Sequence, residues 1–296
     1  MDEVRDRVWR GSLNVRVSVC PELLLTELSE SQDTNLGFVN IIVPRDCYLA
    51  LYLPNIIQKL ESQLRISVSD YYSGWWFEIE GARMPWNFPV GALYDSSTGL
   101  NPSNRSSLHQ ENSVHVWHLM LRHGQHIPNG VIPLKNGIDQ IREFWMHQWK
   151  QACYILNGSA KQVMSLSKPD TLTFWQSVIH RDLTKFEPIR QKIIPMPNAV
   201  RFIPLRIHVA LPDVRLVEPI CKAVDNERDV ELGDVLAREF PEWFEANEES
   251  SNIAKPVIQG IEVPLSALVW EVYQQLSSFD GFLHISLCLQ AENQTV

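Results

Sequence analysis

The sequence predicts an α+β protein in which two strand-rich regions flank a region rich in helices. Apolar and polar residues alternate through the first region, and one helical stretch interrupts them after the second strand. A helical period then takes over, and a similar order of strands and helices returns toward the C-terminus. The order strand, strand, helix, strand and final strand is typical of a ubiquitin-like (β-grasp) unit. We therefore expect two ubiquitin-like domains flanking a helix-rich domain.

The elements of the first region can be placed individually. A short amphipathic helix is predicted over residues 2–9, before Gly11. A helical stretch is predicted over residues 46–64, and we expect Pro54 to kink or divide it. The strand patterns cover residues 13–19, 37–44, 75–81 and 113–121.

The middle region is helical after a segment rich in Gly, Pro, Asn and His at residues 124–133. Its first helix is predicted over residues 138–156, and a second begins near residues 167–170. Two prolines within residues 193–198 mark a linker. The second helix carries one apolar stripe, formed by Leu172, Trp175, Val178, Ile179, Leu183 and Phe186.

The last region repeats the first in outline, which suggests a duplication. The segments FEIEGARMP (77–85) and VIQGIEVP (257–264) share a Gly-x-x-x-Pro spacing at the end of a predicted strand. The predicted boundaries are 1–10 for the N-terminal helix, 11–124 for the first ubiquitin-like domain, 125–198 for the linker and helix-rich domain, and 199–296 for the second ubiquitin-like domain.

Charge and composition exclude some classes of function. The net charge is −9, so an extended nucleic-acid-binding face is not expected. The five cysteines are odd in number and form no Cys-x-x-Cys pair, which is typical of buried thiols in a reducing compartment. The charged N-terminus and the lack of an apolar run of about 20 residues predict a soluble, cytosolic protein.

One segment is locally basic although the chain as a whole is acidic. Between residues 159 and 201, seven Lys and Arg residues oppose three acids. These cations could face anionic lipid as a peripheral membrane contact, although a solvated polar face gives the same pattern. The candidates are Lys161, Lys168, Arg181, Lys185, Arg190 and Lys192.

We find no catalytic motif, and the sequence predicts neither a cofactor nor a metal. His115 and His118 would point to opposite faces of a strand, so the group that they form with His123 and His126 is a poor metal site. Cys153 lies near the end of its helix, where a packed thiol is expected more often than a nucleophile.

The first helix of the middle region presents Lys150. With successive residues about 100° apart, Ile141, Trp145 and Trp149 share one apolar face, and Lys150 falls on the opposite side. Taken alone, this pattern describes any surface lysine of an amphipathic helix.

Longer stretches of the chain resemble one known family. The similarity begins at the N-terminal VWRGSLNVRVSV and reaches the last strand. The segments FWMHQWKQACYILNGSAKQVMSLS, PWNFPVGALYD and QGIEVPLSALVWEVYQQLSSFDGFLHISL resemble the autophagy-related protein 5 family of fungi. The resemblance implies two ubiquitin-like domains around a helix-rich domain, in agreement with the order of elements.

The resemblance also implies a function. The lysine of HQWKQ, here Lys150, would accept an isopeptide bond from the C-terminal glycine of the ubiquitin-like modifier autophagy-related protein 12. An acceptor needs an amine that can attack a thioester on another enzyme, so no catalytic triad is expected in this chain. The chain ends AENQTV instead of Gly-Gly, which favours a recipient of a modifier.

Further partners are implied in the same way. The conjugate, with a helix of autophagy-related protein 16 in a groove, would act like a ligase that promotes transfer of autophagy-related protein 8 to phosphatidylethanolamine in autophagosome formation. The expected location is cytoplasmic and peripheral on preautophagosomal membranes. Asn87 and His147 are expected near the linkage in an activating patch, although Asn87 could simply form a turn. The alternative is a non-covalent adaptor whose two ubiquitin-like domains bind helical partners.

Overall fold

The computed structural model describes residues 3–25, 37–99, 115–209, 215–245 and 250–290. The chain divides into two compact units. One unit comprises Ser12–Leu93 and Gln110–Phe144; the other comprises Met1–Gly11, Tyr94–His109 and Trp145–Val296. Each unit contains one five-stranded sheet.

The sheet of the first unit has a β-grasp topology. Its strand order is β2-β1-β5-β3-β4, with β1 parallel to β5 and every other pairing antiparallel. The alternation of apolar residues places Val15 and Val17 on the buried face, together with Ile56 and Ile57 of helix α2. The elements are β1 (Ser12–Val19), β2 (Phe38–Pro44), α2 (Leu53–Leu60), β3 (Trp75–Ile79), β4 (Ala82–Met84) and β5 (Val116–His123). Helix α3 (Val90–Thr98) begins in this unit.

The second unit combines helices with a second sheet. Its strand order is β11-β10-β12-β6-β7, with β6 parallel to β12. The helices are α1 (Glu3–Arg10), α4 (Gly137–Asn157, from Trp145 onward), α5 (Lys161–Met164), α6 (Lys168–Ile179), α7 (Leu183–Ile193), α8 (Leu232–Glu239) and α9 (Val269–Leu276). The strands are β6 (Leu205–Val209), β7 (Arg215–Val217), β10 (Ala254–Ile258), β11 (Ile261–Glu262) and β12 (Leu283–Leu289), and β8 (Val224–Asp225) and β9 (Arg228–Asp229) form a separate hairpin.

The Gly-x-x-x-Pro repeat corresponds to equivalent hairpins in the two sheets. Each hairpin has two successive residues with positive φ at its turn, Glu80 (49°) and Gly81 (83°) in one and Gln259 (52°) and Gly260 (76°) in the other. Such two-residue turns match the twist of antiparallel strands. Each hairpin is followed by a turn, an isolated bridge and a helix, α3 or α9. The two sheets therefore repeat one local design.

Several predicted elements need correction. The helix predicted to start near residue 167 is two helices, α6 and α7, because Arg181 adopts a φ of 56° between them. The proposed stripe is consequently broken, and Leu172 is 54% exposed. The strand predicted over residues 75–81 ends in a turn that the alternation concealed, and helix α3 was not predicted. The predicted helical stretch is divided into a 3-10 turn (Leu49–Tyr52) and helix α2. Pro54 lies in the first turn of α2, where the missing N–H has no intrahelical acceptor in any case.

The loop 277–281 of the second unit anchors helix α4. The indole Nε1 atoms of Trp145 and Trp149 both donate to the Phe279 carbonyl, each at 2.8 Å. Gly281 packs so closely against the helix that a Cβ would lie 3.0 Å from the Trp149 ring and the Ala152 Cβ. A glycine is therefore required at this approach.

The same loop receives two buried arginines. Arg5 of α1 donates to the Ser277 carbonyl at 2.5 Å, and Arg190 of α7 donates to the Ser277 hydroxyl at 3.0 Å. Glu187 accepts from Arg190 at 2.6 Å and lies 3.6 Å from Arg5, so one carboxylate compensates part of the positive charge of both. One loop thus joins three helices of the second unit.

A buried polar chain lies on the face of the second sheet opposite its main apolar core. The His284 Nε2 atom lies 3.0 Å from the Asp280 carboxylate, and its Nδ1 atom lies 2.8 Å from His208 Nε2. Burial opposes ionisation of Asp280, but His284 and Arg206 outweigh it and lower the pKa of this carboxyl, so the carboxylate accepts a hydrogen bond from His284 Nε2. Burial, followed by the nearby His284 and Arg206 cations, lowers the pKa of His208 well below 6.5.

We predict that Trp145→Ala and Trp149→Ala will each destabilise the second unit by about 3–5 kcal/mol, as expected when a large aromatic leaves a core. The loss of stability is measured by thermal unfolding, with near-UV circular dichroism as the probe. Tyr154→Ala is the control, because Tyr154 lies on the same helix but is 58% exposed. Equal melting of all three variants and the parent would contradict the assigned buried face.

We also predict a pH-dependent loss of stability from His208. Its folded pKa is depressed, so below the unfolded value of 6.5 the unfolded chain binds a proton that the folded chain does not. Stability from this group is therefore complete above pH 6.5 and falls toward pH 5 with a slope of up to about 1.4 kcal/mol per pH unit. His208→Gln retains an amide donor toward His284 and should flatten the change in melting temperature between pH 7 and pH 5. The exposed His147, changed to Gln, should leave that slope unaltered.

Candidate functional site

Helix α4 holds Lys150 in a fixed orientation. The predicted apolar face is confirmed, because Ile141, Trp145, Trp149, Ala152 and Leu156 are all fully buried. Gln148 and Cys153 are buried as well, so the buried sector is wider than the sequence pattern indicated. The helix ends at Asn157, and the following Gly158 adopts a φ of 72°, a left-handed conformation that favours glycine. The helix is therefore fixed along one side and at its C-terminal end.

Lys150 lies in the lining of a groove, which corrects the expectation that it faces open solvent. The residue is half-buried, and its side-chain amine forms no salt bridge or hydrogen bond with another residue that the structure describes. The groove, which we call the Lys150 groove, has a volume of about 680 Å³. Helix α4 contributes His147, Lys150, Gln151, Tyr154 and Ile155, and the second sheet and its connections contribute residues 201–203, 205–206, 218–220 and 282.

The Lys150 groove is largely apolar, with charged groups among its lining residues. Tyr154 is 58% exposed and Ile220 is 73% exposed, and Phe202 and Phe282 add two aromatic rings. Contiguous apolar side chains on a surface commonly mark a site of interaction. The Lys150 amine therefore lies next to an apolar surface of the kind that binds another protein chain.

Two arginines hold the side of the groove formed by residues 218–220. The Arg206 Nε atom donates to Glu218 at 2.8 Å, and Arg238 of α8 donates to the Ile220 carbonyl at 2.8 Å. The Arg206 guanidinium also stacks on Phe282, with 3.6 Å from its Cζ atom to the ring centroid. The sequence did not single out these residues, because they lie more than 50 positions from Lys150 and carry no local motif.

The structure places the other two predicted site residues differently. His147 is exposed and lines the Lys150 groove, one helical turn before the lysine. Asn87 belongs to the other compact unit, in the turn between β4 and α3. The equivalent turn after β11 contains Ser266, so a short polar residue at this position serves the turn in both sheets. The adjacent Trp86 fixes the Asn87 turn by donating from Nε1 to the Ile132 carbonyl at 2.7 Å.

Cys153 and the histidines were the other candidates for reactive or metal-binding groups. Cys153 is fully buried, and burial raises the pKa of its thiol against the hydrogen bonds that lower it. His118 is exposed on its strand, whereas the ring of His123 packs in a tilted orientation against Trp75, with 4.5 Å between ring centroids. Over the described ranges, no three His, Cys, Asp or Glu side chains converge on a position for a metal ion.

Fewer cations of the basic segment are available to a ligand than its sequence suggests. Arg190 is 1% exposed and pairs with Glu187, so the expectation that it faces lipid is wrong. Arg181 stacks on Trp9, with its Cζ atom 4.1 Å from the ring centroid. Lys185 and Lys192 pair with acids at 3.0 Å and 2.9 Å, whereas Lys161 and Lys168 are exposed and form no ion pair with another described residue. Among the described helices, none has the length and apolar character required to traverse a bilayer.

Comparison with known proteins identifies the family. Three family models match the chain: Autophagy protein ATG5, UblA domain, at residues 8–123; its alpha-helical bundle region at residues 138–196; and its UblB domain at residues 202–287. Autophagy protein 5 of Eremothecium gossypii is 40% identical over 289 residues, covering 97% of this chain and 96% of the relative. Autophagy protein 5 of Vanderwaltozyma polyspora is 40% identical over 299 residues, covering 99% and 98%.

A solved structure shows the same fold. The crystal structure of Kluyveromyces marxianus Atg5 matches with a TM-score of 0.81 and 32% sequence identity, covering 97% of this chain and 99% of that one. The matched family models span both sheets and the helices between them. The chain therefore belongs to the autophagy protein 5 family and has a role in autophagy.

Proposed function

We propose that the chain is the acceptor in a ubiquitin-like conjugation, in which Lys150 forms an isopeptide bond with the C-terminal glycine of autophagy-related protein 12. The observation that carries this proposal is an unpaired lysine amine in the lining of an apolar groove, on a helix anchored along its opposite side. Membership of the autophagy protein 5 family supports it.

The chemistry requires little from the acceptor itself. A neutral lysine amine attacks the thioester carbonyl carbon, a C–N bond forms, the C–S bond breaks, and the conjugating enzyme's cysteine leaves as a thiol with the proton released by the amine. Lysine has an ordinary pKa of about 10.4, so the amine must lose a proton before it attacks. We assign that step to the conjugating enzyme, and this chain supplies position rather than catalysis.

The conjugate would then act in a second transfer. With a helix of autophagy-related protein 16, it would promote transfer of autophagy-related protein 8 to phosphatidylethanolamine in autophagosome formation. Two ubiquitin-like sheets and a helical region in one chain offer separate surfaces for such partners. We propose a cytoplasmic protein that associates peripherally with preautophagosomal membranes, where Lys161 and Lys168 are the exposed cations suited to anionic lipid.

A single substitution tests the acceptor role. Lys150→Arg keeps the charge and the apolar stem, but its guanidinium stays protonated and cannot attack a thioester. We expect the covalent adduct to fall to background in a reaction reconstituted with the modifier and its activating and conjugating enzymes. Lys161→Arg, on an exposed helix of the same unit, should leave the yield unchanged. A normal yield of adduct from Lys150→Arg would remove this assignment.

The groove can be tested separately from the amine. Ile220→Asp places a charge in the Lys150 groove, whereas Met164→Asp changes an equally exposed residue of the same unit outside it; both side chains are 73% exposed. We expect Ile220→Asp to lower the conjugation rate at limiting modifier by about tenfold, corresponding to about 1.4 kcal/mol of lost apolar contact. Both variants should melt like the parent. Equal rates for the two variants would show that the groove takes no part.

A non-covalent adaptor is the second candidate, because the two ubiquitin-like sheets are sufficient for helix binding without any bond at Lys150. Intact mass spectrometry of protein purified from its own cells distinguishes the two. An adduct mapped to the Lys150 peptide supports the acceptor, and an unmodified chain bound to its partners supports the adaptor. Cys153→Ser should still form the adduct, because its buried thiol has a raised pKa and no role in the proposed transfer.

A further inference from the structure

Arg206 is the most highly connected charged residue of the Lys150 groove. It is 6% exposed and remains charged, because a guanidinium does not lose its proton in proteins. A buried charge of this kind needs compensating acceptors. Arg206 has them on three sides: the Glu218 carboxylate at 2.8 Å, the side-chain amide oxygen of Gln151 (Oε1) at 3.5 Å, and the Asp280 carboxylate at 3.8 Å.

These contacts connect the two sides of the groove, helix α4 and the 218–220 segment. Gln151 directly follows Lys150 on helix α4, and Glu218 begins the 218–220 segment on the groove's sheet side. Asp280 belongs to the loop that accepts both tryptophan indoles of α4, and it is itself held by His284 at 3.0 Å. The position of Arg206 is therefore fixed at its buried end, while its contact with Glu218, which is 55% exposed, reaches the surface.

We infer that Arg206 is a positioning residue for isopeptide formation, acting through Glu218 to hold the 218–220 segment at a fixed distance from Lys150. The inference rests on the proposed function and deepens it by naming what sets the shape of the site. Arg238 fixes the far end of the segment at the Ile220 carbonyl. Arg206 fixes the near end, so that the exposed Ile220 side chain stays in the groove and meets the incoming modifier. The energy of binding is then used to place the thioester carbonyl beside the amine.

The bond between Arg206 and Glu218 is best tested at its exposed end. Removing Arg206 would leave Asp280 buried with only part of its compensation, and a loss of folding would obscure any role in the site. Glu218→Ala removes the acceptor and leaves the buried contacts of Arg206 intact. Glu218→Gln keeps a carbonyl oxygen in the same place, so it retains the hydrogen bond without the charge. Asp225→Ala is the matched control, because Asp225 is 51% exposed and pairs with Lys222 at 2.8 Å outside the Lys150 groove.

Single-turnover conjugation is measured as a function of the concentration of conjugating enzyme charged with the modifier. We expect Glu218→Ala to raise the half-saturating concentration about three- to tenfold with an unchanged maximal rate, since position and not chemistry is affected. Glu218→Gln should stay within about twofold of the parent, and Asp225→Ala should match it. Equal behaviour of Glu218→Ala and Asp225→Ala would overturn the inference, as would a lower maximal rate accompanied by a lower melting temperature.

Hydrogen exchange gives a readout that does not depend on conjugation. In Glu218→Ala, amides of the peptide containing residues 218–221 should exchange faster, while peptides of helix α4 remain unchanged; Glu218→Gln should protect the segment as the parent does. Unchanged exchange in Glu218→Ala would show that Arg206 does not hold the segment. Adduct formation by Lys150→Arg would instead refute the acceptor role, and the exchange result would still decide what Arg206 does.

Discussion

The Phe279 carbonyl is the contact on which the arrangement around Lys150 depends. Its oxygen has two lone pairs, and both are used by indole N–H groups of one helix, four residues apart. Each buried N–H would cost about 1–3 kcal/mol if left without an acceptor. Only one rotation of helix α4 about its axis brings both indoles to this oxygen. That rotation directs Lys150 into the groove, so an interaction on the buried side of the helix determines what its other side presents.

The loop that supplies this carbonyl is held by charges as well as by packing. Arg5 and Arg190 donate to Ser277, while Asp280 faces Arg206 and His284. Buried ions are expensive to desolvate and stabilise a fold only when each one is compensated. Their benefit here is geometric, because hydrogen bonds to charged groups restrict the loop more tightly than apolar contact alone. The loop that anchors α4 therefore also holds Arg206, a lining residue of the Lys150 groove, through Asp280.

Much of the fold could be predicted because it follows from local periodicity. Period-two alternation located the strands, the helical period located α4, and the Gly-x-x-x-Pro spacing suggested a duplication. The structure shows that the two repeated segments are hairpins with the same positive-φ turn. The split between α6 and α7 was missed because Arg181 adopts its left-handed conformation without a glycine to signal it. The buried face of α4 was predictable from residue spacing. Its partner was not, since Phe279 lies 130 residues beyond Trp149 and contributes only a backbone oxygen, which no sequence pattern encodes.

The same distinction explains why the candidate site was only half visible in the sequence. A helical wheel places Lys150 opposite the tryptophans, but it cannot show that a second sheet closes one side of the space around the amine. Lysines start from the same ordinary pKa, and Lys161 and Lys168 are more exposed than Lys150. An equal ordinary pKa gives no preference among these amines, and exposure alone would favour Lys161 and Lys168. What sets Lys150 apart is the apolar groove next to it, so selectivity among lysines in the proposed transfer must arise from the binding of the modifier, with the amine held still at the point where that binding brings the thioester.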